Sequence, residues 1–129
     1  MVRRDMNPNE LMPDWAKQFY SSRIKSLTEV FKVSKPIVGM VHLMPMPGAP
    51  AYRGESVDFI IDNALKDARA LVDGGVDGII VENMWDLPYF VGKDVPPEEM
   101  TVHAVAAREV IKQAGVPAGI TVIHNGGRV

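Results

Sequence analysis

The sequence predicts an α/β fold built around a parallel sheet, in which strands and helices alternate. Three nearly continuous apolar runs of strand length carry this prediction, at 36–43, 78–81 and 118–123. Two stretches with apolar residues at helical spacing separate them, at 57–72 and 101–114. Near-continuous apolarity is typical of strands buried on both faces, and their alternation with helices indicates right-handed βαβ connections.

Composition narrows the classes of function. The 129 residues have a formal net charge of −2 with both signs interspersed, so we expect no nucleic-acid interface and no polybasic membrane patch. The chain has no cysteine, which excludes disulfides and thiolate metal sites. The apolar run 37–46 is too short and too interrupted to span a bilayer, and we expect no secretory signal. We therefore expect a soluble, cytoplasmic protein without a transmembrane segment, with peripheral membrane association as the alternative.

Residues 1–34 form a compositionally separate extension that we expect to contain an amphipathic helix. Pro13 and Asp14 suit the first turn of a helix. Apolar residues then follow a helical stripe: Trp15, Phe19, Ile24, Leu27 and Phe31. This stripe predicts either a helix that covers the open end of the sheet or one that binds a partner or a membrane surface. Its evenly spaced aromatics and weakly basic polar face favour the first interpretation.

The two helices between the strands carry recognisable boundary signals. Ser56 suits the N-cap of the first helix, and the pair Gly74 and Gly75 suits its end. The second helix is expected from about Thr101 to Ala114. His103 then falls in the first turn of that helix, where we expect it to face solvent.

Polar side chains follow each of the predicted strands. His42 ends the first strand, Glu82 and Asn83 end the second, and His124 and Asn125 end the third. Because the carboxyl ends of parallel strands meet at one edge of a sheet or barrel, these groups could form a single site. Neighbouring residues on a strand point to opposite faces, so the register decides which member of each adjacent pair faces it.

This combination of side chains indicates acid–base chemistry. A carboxylate beside imidazoles and carboxamides suits general acid–base catalysis, and it is also compatible with binding of a divalent cation. We expect His42 and Glu82 to be catalytic, with Asn83 or Asn125 orienting a small-molecule substrate. The pattern specifies no metal, and the alternative is that these residues are simply the polar ends of three strands.

The loop after the first strand, 44–54, contains three prolines and two glycines and is therefore stiff. A rigid loop at the carboxyl end of a parallel strand is where α/β proteins place their ligands. Tyr52 and Arg53 in this loop are available to bind an anionic group. A stiff connector without ligand contacts would explain the same residues equally well.

Four segments of this sequence together resemble the BtpA/SgcQ family: 35–43, the turn 46–50, the strand end 77–83, and 117–123. They occur in the order and at the spacing of that family. The family's name is tied to photosystem I biogenesis, and many of its members are regarded as enzymes only by inference.

The resemblance implies a (β/α)8 TIM barrel related to the phosphate-binding barrels. Residues 35–129 would then be a truncated segment with the first three βα-type units of an incomplete barrel, after the N-terminal helix. The third strand departs from the family pattern, because His124-Asn125-Gly126 stands where an asparagine followed by an acidic or amide residue is expected.

Three functional interpretations follow from the resemblance. In the first, the protein is part of an enzyme that acts on a small metabolite, which could be phosphorylated. In the second, it is an assembly or stability factor that works through surface contacts. In the third, the chain is inactive, because three strands cannot close an eight-stranded barrel. Unpaired sheet edges also predict self-association, although three strands per copy do not divide evenly into eight.

Overall fold

The structure, a computed structural model, describes residues 13–15, 17 and 26–122. Within them, three parallel strands form one sheet in the order β1-β2-β3. The elements are, in chain order, α1 (Leu27–Phe31), β1 (Val38–His42), α2 (Val57–Asp73), β2 (Gly78–Glu82), a 3-10 helix (Gly92–Asp94), α3 (Pro97–Ala114) and β3 (Ala118–Thr121). The predicted parallel α/β arrangement is confirmed. No helix in the described part of the chain is long and apolar enough to cross a membrane.

The register of the sheet aligns the carboxyl ends of all three strands. His42 pairs with Glu82, and Glu82 pairs with Thr121. Partners in register on parallel strands project from the same face, so these three residues form a row across the sheet. We call the face that carries this row the inner face and the opposite face the helix face.

The helix face contains the hydrophobic core. Val41, Ile79 and Val81 are at most 1% exposed and pack with buried apolar residues of α2 and α3. Gly39 brings α2 close to the sheet, since a Cβ atom there would lie 2.9 Å from Leu71 Cδ2. The inner face is more open, and Met40 on it is 39% exposed.

The two long helices begin where local signals place them. The Ser56 Oγ accepts a hydrogen bond from the Phe59 amide at 3.2 Å, which confirms Ser56 as the N-cap of α2. Helix α3 starts at Pro97, four residues before the predicted Thr101. Proline at the first helical position has a suitable φ and needs no amide partner, and acidic residues in the first turn complement the helix dipole.

The short helix α1 places an aromatic ring at the amino end of the inner face. A Cβ atom on Gly78 would overlap the ring of Phe31, so this ring lies directly over the first residue of β2. Ser26 has an extended backbone and caps α1, which interrupts the predicted stripe from Trp15 to Phe31. Phe19 and Ile24, which belong to that stripe, lie outside the described residues.

Candidate functional site

The structure brings His42 and Glu82 together at the carboxyl end of the sheet. The Nε2 atom of His42 lies 3.4 Å from Oε2 of Glu82, and the two side chains are 37% and 14% exposed. Because the residues are partners in the register of β1 and β2, the backbone of the sheet fixes this proximity. At this separation the two atoms form an ion pair when the imidazole is protonated.

A cavity of about 480 Å³ lies beside His42, between β1, α2 and the loop after β2. Its wall is formed by Met40, His42, Asp67, Ala70, Leu71 and Trp85. The indole of Trp85 meets the imidazole edge to face, with ring centroids 6.5 Å apart and planes at 82°. The imidazole is thus held between a carboxylate and an aromatic ring and remains partly open to solvent.

The two neighbouring residues Glu82 and Asn83 point to opposite sides of the sheet, as the strand geometry requires. Glu82 shares the inner face with His42, whereas Asn83 is fully buried and its Nδ2 donates to Glu99 Oε1 at 3.1 Å. The structure therefore does not place Asn83 beside the His42–Glu82 pair, and a contact between Asn83 and substrate stays a prediction.

The two loop residues Tyr52 and Arg53 are engaged in local contacts. The hydroxyl of Tyr52 donates to the carbonyl of Glu55 at 2.7 Å, and Arg53 Nη1 donates to the Tyr52 carbonyl at 3.1 Å. Neither residue lines the cavity beside His42. Their role in anion binding stays a prediction. Asn125 and His124 lie outside the described residues.

A buried polar cluster, formed by Asn83, Asp86, Glu99 and His103, was missed by the sequence reasoning. All four side chains are at most 2% exposed. The expectation that His103 faces solvent is wrong, because its Nε2 lies 3.3 Å from the Val81 carbonyl oxygen in the interior. Since α3 begins at Pro97, His103 is in its second turn, on the side that packs against β2. The four-residue spacing between Glu99 and His103 was the available signal.

Burial dominates the electrostatics of this cluster. Loss of solvent raises the pKa of Asp86 to about 7, opposed by the hydrogen bond from the Met46 amide and assisted by the charge of Glu99. Burial also raises the pKa of Glu99, although hydrogen bonds with Asp86 and Asn83 oppose this effect. The pKa of His103 is lowered by burial, against the opposing effect of its hydrogen bond to Val81. Near neutral pH the cluster therefore favours an uncharged imidazole.

Metal ligands are sparse in the described part of the chain. No group of three or more histidine, aspartate or glutamate side chains there is arranged to hold a metal ion. His42 and Glu82 provide two donors at the strand ends, fewer than the protein ligands of an ordinary divalent site.

The BtpA family model matches residues 33–128, which is most of the chain and all three strands. The chain belongs to the BtpA family. The matched region of this BtpA-family chain includes His42, Glu82 and the whole buried polar cluster.

Several curated relatives support this assignment. A Pyrococcus abyssi protein, named only as uncharacterized, is 45% identical over 71% of this chain and 34% of its own length. The photosystem I biogenesis protein BtpA of Synechocystis is 35% identical over 77% of the chain and 34% of its own length. The putative sgc region protein SgcQ of Escherichia coli is 32% identical over 75% of the chain and 36% of its own length.

The BtpA-family chain spans about a third of the length of the curated relatives it matches. No solved structure matches it significantly.

Proposed function

We propose that this BtpA-family chain contributes the first three strands of a (β/α)8-barrel enzyme that acts on a small metabolite. The single observation that carries the proposal is the His42–Glu82 contact of 3.4 Å beside a cavity. Parallel βα units place their ligands at the carboxyl ends of the strands, which is where this contact lies.

In this proposal His42 is the group that exchanges a proton with the substrate. Glu82, whose Oε2 lies 3.4 Å from Nε2, orients the ring and stabilises the imidazolium that forms when Nδ1 takes a proton. The edge of the Trp85 indole limits the rotation of the same ring. A histidine held by a carboxylate in this way can act as base in one step and as acid in the next.

The charges of the cavity wall restrict how a substrate would be oriented. Among the described residues that line it, Asp67 is the only carboxylate, and no lysine or arginine is present. The cavity therefore favours an uncharged polar portion of the substrate. A phosphate group would be held outside it, and exposed Arg53 is the candidate for that contact.

A binding experiment on the 129-residue chain tests this proposal. Small phosphorylated sugars and inorganic phosphate are added while the ring resonances of His42 are followed by NMR. We expect a saturable shift for at least one sugar phosphate, with binding at least tenfold weaker in Glu82→Gln. Binding should be weakened equally in His42→Asn, where the indole resonance of the adjacent Trp85 replaces the His42 ring as the reporter. Glu109→Gln is the matched control, because Glu109 lies on α3 and pairs with Arg108 and Lys112 instead.

A second candidate function is favoured by one relative, which is named as a photosystem I biogenesis protein. An assembly factor works through surface contacts and does not need the imidazole or the carboxylate. If the equivalent changes in the full-length Synechocystis relative leave photosystem I accumulation unchanged, and no metabolite shifts His42, the assembly function is favoured and the enzymatic proposal is overturned.

A further inference from the structure

We infer that Asp86 and Glu99 share a single proton, and that this protonated pair positions Trp85 against His42. The pair lies on the helix face, behind the strand ends, and does not contact the cavity. The inference does not depend on His42 being catalytic, since it concerns the position of the loop that carries Trp85.

The first half of the pair is Asp86, which is 1% exposed. Its Oδ1 accepts a hydrogen bond from the Met46 amide at 2.8 Å, across forty residues of sequence. Its Oδ2 is buried and has no N–H donor among the described residues. One oxygen of Asp86 is therefore used to hold the loop after β1, and the other still needs a partner.

The second half is Glu99, in the first turn of α3 and 2% exposed. Its Oε1 accepts from Asn83 Nδ2 at 3.1 Å, while Oε2 is buried without an N–H donor among the described residues. Each carboxyl thus has one oxygen that accepts a hydrogen bond and one buried oxygen that has no N–H donor.

A single proton shared between the carboxyls gives both of these oxygens a hydrogen-bond partner. Two buried carboxylates in contact cannot both keep their charge, as in acid pairs that share a proton. The two carboxyls are close enough to interact, because the charge of Glu99 and a hydrogen bond with it both raise the pKa of Asp86. A bond from Asp86 Oδ2–H to Glu99 Oε2 leaves one negative charge in the pair.

No cation balances that pair in the described part of the chain, where neither carboxyl has an ion pair or hydrogen bond with lysine or arginine. The neighbouring His103 is neutral, because burial lowers its pKa. Burial, Glu82 and Asp86 raise the pKa of Tyr89, so this group is also uncharged near neutral pH. The ionisable groups nearest the pair are Tyr89 of the loop after β2, which is affected by the charge of Asp86, and His103, one turn after Glu99 on α3.

The protonated pair joins three segments of the chain. Met46 belongs to the loop after β1, Asp86 to the loop after β2, and Glu99 to α3. Trp85 is the residue next to Asp86, and its ring packs against His42. When the shared proton is lost, repulsion between the carboxylates separates Asp86 from Glu99, and Trp85 moves with Asp86.

The test follows Trp85 in the full chain with Trp15→Phe, which leaves a single tryptophan. Indole NMR and fluorescence are recorded from about pH 4 to about pH 10, together with the carboxyl carbon resonances of Asp86 and Glu99. We expect one transition with a midpoint near the value of about 7 for Asp86. The transition should persist in His42→Gln, which would show that it does not arise from titration of His42.

Asp86→Asn keeps the oxygen that accepts from Met46 and gives Glu99 a permanent N–H donor, so the Trp85 transition should disappear. Glu99→Gln should abolish it too, whereas Glu98→Gln, one residue away and exposed, should keep it. A transition unchanged in folded Asp86→Asn or Glu99→Gln overturns the inference. If neither variant folds, the carboxyl carbon resonances of the unmodified chain test the inference. Ionisation of both carboxyls already at about pH 5 would overturn it.

Discussion

At the scale of single residues, Gly39 shows how a missing side chain sets the distance between a strand and a helix. Its φ is not positive, so glycine is not required there for backbone conformation. The constraint is space, because three atoms of Leu71 lie within 3.2 Å of where a Cβ would stand. Leu71 packs against the core on one side and lines the cavity beside His42 on the other, so movement of its side chain relieves only part of the overlap.

We predict that Gly39→Ala lowers the free energy of unfolding by about 1–3 kcal/mol, the usual effect of overpacking a core. Urea denaturation of the 129-residue chain measures this change. The matched control is Gly119→Ala on β3, where the nearest atom to a new Cβ is 3.9 Å away. Equal effects of the two substitutions would contradict a steric role for Gly39.

The sequence predicted the candidate site in part, and the missing part has a physical cause. His42 and Glu82 were identifiable because each follows an apolar run, which is a local signal. The choice of Glu82 over Asn83 for the inner face needed the register, which depends on pairing between strands. Burial of Asp86 depends on a contact with Met46, forty residues away, so no local pattern could reveal it.

At the scale of elements, the first turn of α3 is joined to the loop after β2 through buried acids instead of apolar contacts alone. The start predicted from the sequence, Thr101, lies four residues too late. Proline at the first turn is compatible with a helix, and Glu99 then points inward. The extension by one turn includes Glu99 in the helix, and both Glu99 and His103, which was expected to face solvent, are buried.

We predict that protonation of Asp86 makes the fold more stable in mild acid than in mild base. The folded pKa of about 7 lies above the ordinary value of 3.8, so the folded state binds the proton more tightly than the unfolded state. That stabilisation is fully present below about pH 4 and is lost as pH rises through about 7.

The measurement compares the free energy of unfolding of the unmodified chain with that of Asp86→Asn at several pH values. The difference between the two should change by on the order of 4 kcal/mol between about pH 4 and about pH 8, with Asp86→Asn relatively favoured at the higher pH. A difference that does not vary with pH would show that Asp86 titrates normally in the folded chain.

At the scale of the whole molecule, the described sheet has two unpaired edges and a partly exposed apolar surface. Only β2 has a partner on both sides. Ile120 on β3 is 50% exposed, and Met40 on β1 is 39% exposed. Unpaired strand edges beside exposed apolar side chains favour pairing with other chains.

We predict that the 129-residue chain self-associates as its concentration rises, as measured by sedimentation velocity. Ile120→Lys places a charge on the β3 edge and should weaken the association by at least tenfold. Val105→Lys is the control, since Val105 is similarly exposed but lies on α3. A chain that remains monomeric at high concentration would exclude this prediction.

The Phe31 ring over Gly78 makes the two ends of the inner face different in the described part of the molecule. The amino end of the inner face is closed by an aromatic ring, whereas the carboxyl end carries His42 and Glu82 and opens to solvent. In the proposed barrel, a small molecule on the inner face would enter and leave at the carboxyl end. Substrate and product would then pass through the same opening one after the other, and the loop that carries Trp85 lies beside it.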